Sequence, residues 1–219
     1  VFDASEDRHP SAEIVAKERP ELLIFSGLVG LIGCLMPLAA LSWAALVTDH
    51  DFIADTVSDA ARGNRKWIMD VGFYFHAAGL LGLAIAAAHA HLGRAGWSLG
   101  IFALAFLALV VVLLGLWDEF GRTSENPQGM SVHTRLTFLL GPLFVAGPLL
   151  MAKGAGGVRP AYGWAFVAAA VLWAVFAVAF KLSPDAYDGL VEKIAIAATL
   201  LWTVPLSIMM IVRGRDRMG

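Results

Sequence analysis

The sequence predicts an all-α fold, a polytopic transmembrane bundle of six helices with both termini on the cytoplasmic side. Three observations lead there. The 219 residues are 58% hydrophobic and 16% charged, with a mean hydropathy of +0.71, whereas soluble chains carry about a quarter charged residues. The apolar residues fall in long runs divided by short polar stretches, the pattern of segments that cross a bilayer. The runs are continuous rather than alternating, which favours helices over barrel strands.

Residues 1–21 form a polar N-terminal segment of mixed charge, without the basic-then-apolar layout of a secretory signal. The transmembrane domain is expected over 22–213. Its first span, 22–47, is long enough to cross at a tilt, with a kink at Pro37. The second covers 68–90, the third 97–117, the fourth 136–152, the fifth 161–181 and the sixth 194–212, with Pro205 inside it. Each meets or nears the roughly 20 residues that a crossing helix needs. Trp67, Trp97, Trp117 and Trp164 fall at span ends, where amphipathic rings settle. A basic tail, 214–219, follows. The net charge of −2 leaves no basic footprint, so no nucleic-acid partner is expected. The single cysteine, Cys34, lies in an apolar run and reads as a small buried residue.

Lysine and arginine set the orientation. With both termini inside, the inner segments hold nine (Arg8, Lys17, Arg19, Arg94, Lys153, Arg159, Arg213, Arg215, Arg217) and the outer segments seven (Arg62, Arg65, Lys66, Arg122, Arg135, Lys181, Lys193). An even number of spans also sorts the loops. "VTDHDFIADTVSDAARGNRK", "DEFGRTSENPQGMSVH" and "KLSPDAYDGLVEK" share one face, and the short turns "HLGRAG" and "AKGAGGVRP" share the other. The chemically rich residues therefore gather on the outer face, where loops can cap the bundle.

Depth singles out His76, which lies about eight residues, or roughly 12 Å, inside the second span. It shares a helical stripe with Gly72 and Gly79, and glycine beside an imidazole leaves room for a neighbouring helix or a small cavity. Asp70 lies about 120° around the same helix and is no local chelate with it. Ionisable groups at membrane depth face protein or water and mark candidate sites. Asp118 and Glu119 end the third span, and His133 opens the fourth with Ser131 as its cap. Glu192, Thr199, Thr203 and Ser207 form one stripe of the sixth span. Its hydroxyls either bond to carbonyls a turn earlier or line the bundle interior. Ser58 lacks a nucleophile-elbow sequence and reads first as a cap or turn residue. A divalent metal such as zinc could draw on His76, His133 and Asp118, with Asp59 and Asp70 nearby, but no pair has diagnostic ligand spacing. His89 and His91, two residues apart, cannot grip one haem iron from the same face.

"TVSDAARG" before the second span, "LGLWDEF" followed by "HTRLTFLLGPLF", and "YDGLVEKIAIAATLLW" resemble elements of the DRAM/FRAG/Sfk-type six-helix membrane proteins and their bacterial relatives of unknown function. The resemblance covers most of residues 25–212 and highlights Ser58, Asp59, His133, Gly189, Glu192, Lys193 and Trp202. "SDAARG" departs from the family's shorter "SDTG"-like form. The resemblance implies the fold and topology; the eukaryotic members of that group are linked to lipid remodelling, trafficking and autophagy, mostly as non-catalytic regulators, and a bacterial cytoplasmic membrane is the expected location.

The expected function is thus an outward-facing polar pocket that binds a lipid headgroup or other amphiphile, or docks on another membrane-protein subunit. Ser58, Asp59 and His133 form its rim and His76 its floor. Asp70, Asp118, Glu119 and Trp202 accompany it, and Glu192–Lys193 is a charge pair holding the sixth helix. The alternatives are a hydrolase or lipid-modifying enzyme using the His, Asp and Ser residues, with or without a metal, and a structural subunit. In the last, Gly27, Gly30 and Gly33 would support close helix contacts. No cofactor is identified by the sequence.

Overall fold

Main-chain polar groups in hydrocarbon must be satisfied within their own segment, so each apolar run becomes a helix. The computed structural model describes residues 18–116 and 132–218. In order these form α1 (Pro20–Val47), the single-turn α2 (Val57–Ala60), a 3-10 turn (Gly63–Arg65), α3 (Trp67–Ala90), α4 (Ala95–Leu116), α5 (Val132–Val158), α6 (Pro160–Leu182) and α7 (Asp188–Asp216). No strand occurs among the described residues. Among the described residues, six helices are long and apolar enough to span a membrane. Pro37 and Pro205 lie within helices that continue through them.

The six long helices close into a ring of neighbours, α1–α3–α4–α5–α6–α7 and back to α1. Leu23, Leu80, Leu104, Leu107, Phe166 and Trp202 are among the fully buried core residues. Glycine decides the closest contact. A Cβ added to Gly33 would fall 2.7 Å from Gly79 Cα and collide with the Phe75 carbonyl, and one on Gly79 would fall 2.9 Å from Gly33 Cα. α1 and α3 therefore meet backbone to backbone, as small residues allow between membrane helices. Gly27 lies against Ser207 and Ile211 of α7, and Gly30 against Leu83 and Ser207. The glycines that the sequence offered to a partner subunit are occupied within the chain.

The hydroxyl stripe of α7 resolves in favour of local bonding. Thr199 donates to the Ile196 carbonyl at 2.7 Å, Thr203 to Thr199 at 3.3 Å and Ser207 to Thr203 at 2.7 Å. One tryptophan expectation needs correction. Trp67 and Trp164 are exposed, but Trp97 is buried, donating its indole N–H to the Ala87 carbonyl at 2.8 Å. The tight α3–α4 turn folds it onto α3, and Trp117 lies outside the described residues.

The two ends of the ring differ. At one, Arg213 forms a two-nitrogen contact with the Glu18 carboxylate (Nη2–Oε1 2.6 Å, Nε–Oε2 3.1 Å), and the Arg19 amide donates to His89 Nε2. The start of α1 and the ends of α3 and α7 thus lie together. At the other end the α1–α3 connection, the start of α5 and the α6–α7 connection converge. The Leu190 amide there donates to the Ile53 carbonyl at 2.8 Å. Among the described residues the α1–α3 connection, the start of α5 and the α6–α7 connection share one end, as span parity predicts, and residues 117–131 of the remaining long loop lie outside the described residues.

Candidate functional site

The site begins with a local signal, Thr56-Val-Ser-Asp59. A threonine followed three residues later by an acid can form a reciprocal cap. The Asp59 amide donates to Thr56 Oγ1 at 3.1 Å, and Asp59 Oδ2 accepts from the Thr56 amide at 2.8 Å and its hydroxyl at 2.6 Å. Arg62 Nη1 lies 3.0 Å from Asp59 Oδ1. Burial works to raise the Asp59 pKa, but the Thr56 hydroxyl and amide, and then Arg62, outweigh it and hold the carboxyl below its ordinary value. Asp59 is therefore an ionised structural acid at neutral pH.

Because Thr56 supplies the cap, the next hydroxyl is left for other work. Ser58 Oγ lies 3.1 Å from His133 Nε2 on the first turn of α5. The same short helix is fastened to α7. The Val57 amide donates to Glu192 Oε2 at 2.6 Å, and Lys193 Nζ donates to the Asp55 and Gly189 carbonyls. Lys193 also stands 4.9 Å from the centre of the Phe52 ring. Gly189 permits this docking. Its missing Cβ would collide with the Asp55 carbonyl group and lie 2.9 Å from Ala54 C.

These elements enclose one side of a cavity of about 600 Å³ bounded by α2, α5, α6 and α7. Its wall is apolar, with Phe138, Leu140, Trp173, Ala177, Val178 and Ile196. Its rim carries Ser58, Asp59, Arg62 and His133 on one side and Lys181, Asp188 and Glu192 on the other. Lys181 Nζ is 4.7 Å from the Phe180 ring centre and 5.6 Å from that of Phe138. Asp188 Oδ1 and Trp173 Nε1 are buried without a hydrogen-bond partner among the described residues.

Of the residues expected at the site, Ser58, Asp59, His133 and Glu192 share this cavity. Four expectations are corrected or moved. His76 is buried on the Gly72–Gly79 face of α3 against α1 and does not line the cavity, so it is not the floor. The glycines beside it admit a helix rather than a ligand. Asp70 sits in the first turn of α3, 2.8 Å from Lys66 Nζ, outside the lining. Glu192 and Lys193 attract each other as opposite charges but form no salt bridge. Adjacent helical residues point about 100° apart, and each holds a different main-chain group of the α1–α3 loop. Trp202 lies in the core, edge-on to Phe144 at 6.4 Å and against Gly147. Asp118, Glu119 and Ser131 lie outside the described residues. His76 and His133 do not converge, and no group of three potential metal ligands occurs among the described residues.

Arg62, Trp173, Lys181 and Asp188 join the site without having been singled out. Lys181 and Asp188 were legible only as members of the outer loop set. Trp173 carried no signal, since an indole within a span reads as core.

Six apolar helices with a polar-rimmed cavity at one end define a polytopic helical membrane protein. Residues 30–209 match the family described as Protein of unknown function (DUF998), and the chain belongs to that family. No curated protein and no solved structure matches it.

Proposed function

We propose that the cavity between α2, α5, α6 and α7 binds an amphiphile, with the apolar portion between the helices and the polar portion at the charged rim. The observation that carries this reading is the division of one cavity into an aromatic and aliphatic wall and a rim with charges of both signs. A volume of about 600 Å³ falls in the range of small-ligand sites. Both charge signs at the rim suit a zwitterionic or hydrogen-bonding headgroup better than a simple anion. The resemblance of three short motifs to DRAM/FRAG/Sfk-type proteins, whose eukaryotic members are linked to lipid remodelling and trafficking, favours the same ligand class. The excess of Lys and Arg on the terminal side supports an N-in, C-in orientation in a bacterial cytoplasmic membrane, with the cavity opening on the outer face. An accessory-subunit role is the competing reading, and it would leave the cavity empty of lipid.

Gly141 provides the test. It lines the cavity, and a Cβ added there meets nothing within 4 Å, so Gly141→Phe introduces a bulky side chain at the wall from an uncrowded position. The purified protein in nanodiscs is exposed to a phospholipid bearing a photoreactive diazirine on its acyl chain, and adducts are mapped by mass spectrometry. Adducts are expected on cavity residues such as Phe138 and Trp173. Their yield is expected to fall about tenfold in Gly141→Phe, equivalent to about 1.4 kcal/mol of binding. Adducts spread evenly over the lipid-exposed surface and unaffected by the substitution would contradict the reading.

A further inference from the structure

We infer that Ser58 and His133 form a nucleophile–base pair that cleaves a carboxylic ester bond of the amphiphile held in the cavity. This goes beyond binding and rests on the amphiphile reading above. Three features carry it. The hydroxyl of Ser58 has no capping duty, because Thr56 caps α2. It lies 3.1 Å from His133 Nε2, within the range over which an imidazole removes a hydroxyl proton, and both residues line the cavity. The pair is also held from three elements. α2 carries the serine, α7 fixes α2 through Glu192, and the first turn of α5 carries the buried imidazole. Such anchoring keeps a reacting pair in register. An amphiphile with its apolar part along Phe138 and Ile196 and its polar part at the rim places its ester junction between the two, at the level of Ser58.

The chemistry balances with water as the co-reactant. Ser58 Oγ forms a bond to the ester carbonyl carbon as its proton passes to His133 Nε2. The C–O bond to the alcohol portion breaks, and the departing alkoxide takes that proton. Water then attacks the acyl-serine, giving a proton to Nε2. The C–Oγ bond breaks and Ser58 recovers its proton. The net change is ester plus water to carboxylic acid plus alcohol.

An alkyl fluorophosphonate tests the pair directly, since a base-activated serine displaces fluoride and retains the phosphonyl group. The full chain in nanodiscs is expected to gain one adduct, located on Ser58. Ser58→Ala is expected to gain none while keeping the monodisperse profile of the unaltered chain in mild detergent. His133→Gln, likewise monodisperse, is expected to react about 100-fold more slowly. Protein that cross-links the lipid but takes no phosphonate overturns the catalytic pair and leaves the binding reading standing. An adduct on another serine also overturns the pair. A Ser58 adduct with no cavity cross-linking overturns the amphiphile as substrate.

Discussion

Replacing Gly33 with leucine is expected to abolish assembly of the bundle. The cause is the absence of anything that can yield. A Cβ at this position meets the Phe75 carbonyl and Gly79 Cα, both main chain within a continuous helix. Extra methylenes in an ordinary core cost about 1–3 kcal/mol because side chains rearrange. Here α1 and α3 must separate along their length, and α1 would also pull away from α7 at Gly27 and Gly30. A loss of about 4 kcal/mol or more is expected, comparable with the whole stability of many domains. Size-exclusion profiles in mild detergent should show aggregate in place of a monodisperse peak. Gly157→Ala, where an added Cβ meets nothing within 4 Å, should leave the profile unchanged. A folded Gly33→Leu protein with unaltered melting temperature would show that α1 and α3 do not meet at this point.

Lys193→Met is expected to release the α1–α3 loop without dismantling the bundle. Methionine retains the apolar stem but removes the ammonium that joins the Asp55 and Gly189 carbonyls and faces the Phe52 ring. Hydrogen bonds to charged groups contribute about 1.5–3 kcal/mol each, and an unpaired buried carbonyl adds its own cost. Loop opening should therefore become easier by about 3 kcal/mol, a factor of about 100 in the open population. Trypsin reads that population at Arg62 and Arg65 when closing is faster than cleavage. Cleavage there should accelerate by about that factor while the long helices stay resistant. Glu192→Gln should do less, since its amide oxygen can still accept from the Val57 amide. An unchanged cleavage rate in Lys193→Met would remove the lysine from its anchoring role.

The bundle was legible because lipid leaves a chain few choices. Its helix ends were not. The sixth span was expected to begin at 194, yet α7 begins at Asp188, because Glu192 and Lys193 are satisfied by main-chain groups of a loop more than a hundred residues earlier. Composition counts such charges as loop; folding turns them into anchors. α2 escaped notice because a single turn has no periodicity, although its Thr-x-x-Asp cap stood in the sequence. Span parity placed Ser58, Asp59, His133 and Glu192 on one face, and that rule needs only the number of spans. Which neighbour each helix face meets is a matter of packing. The depth of His76 was readable and its burial followed, but its partner helix, α1, was not. Trp173 could be recognised as cavity lining only once α5, α6 and α7 were in place.

The central claim is that the start of α5 is seated against the α1–α3 loop, so that residues far apart in sequence share one cavity. It is tested most directly by treating a Ser58→Cys/His133→Cys chain in native membranes, with Cys34 replaced by alanine, with a short bis-thiosulfonate cross-linker whose span matches the length of the imidazole it replaces. An intramolecular bridge, seen in the intact mass as one linker joined to both thiols, is the predicted result. Two thiols that each take a separate reagent molecule and label from opposite compartments would contradict it.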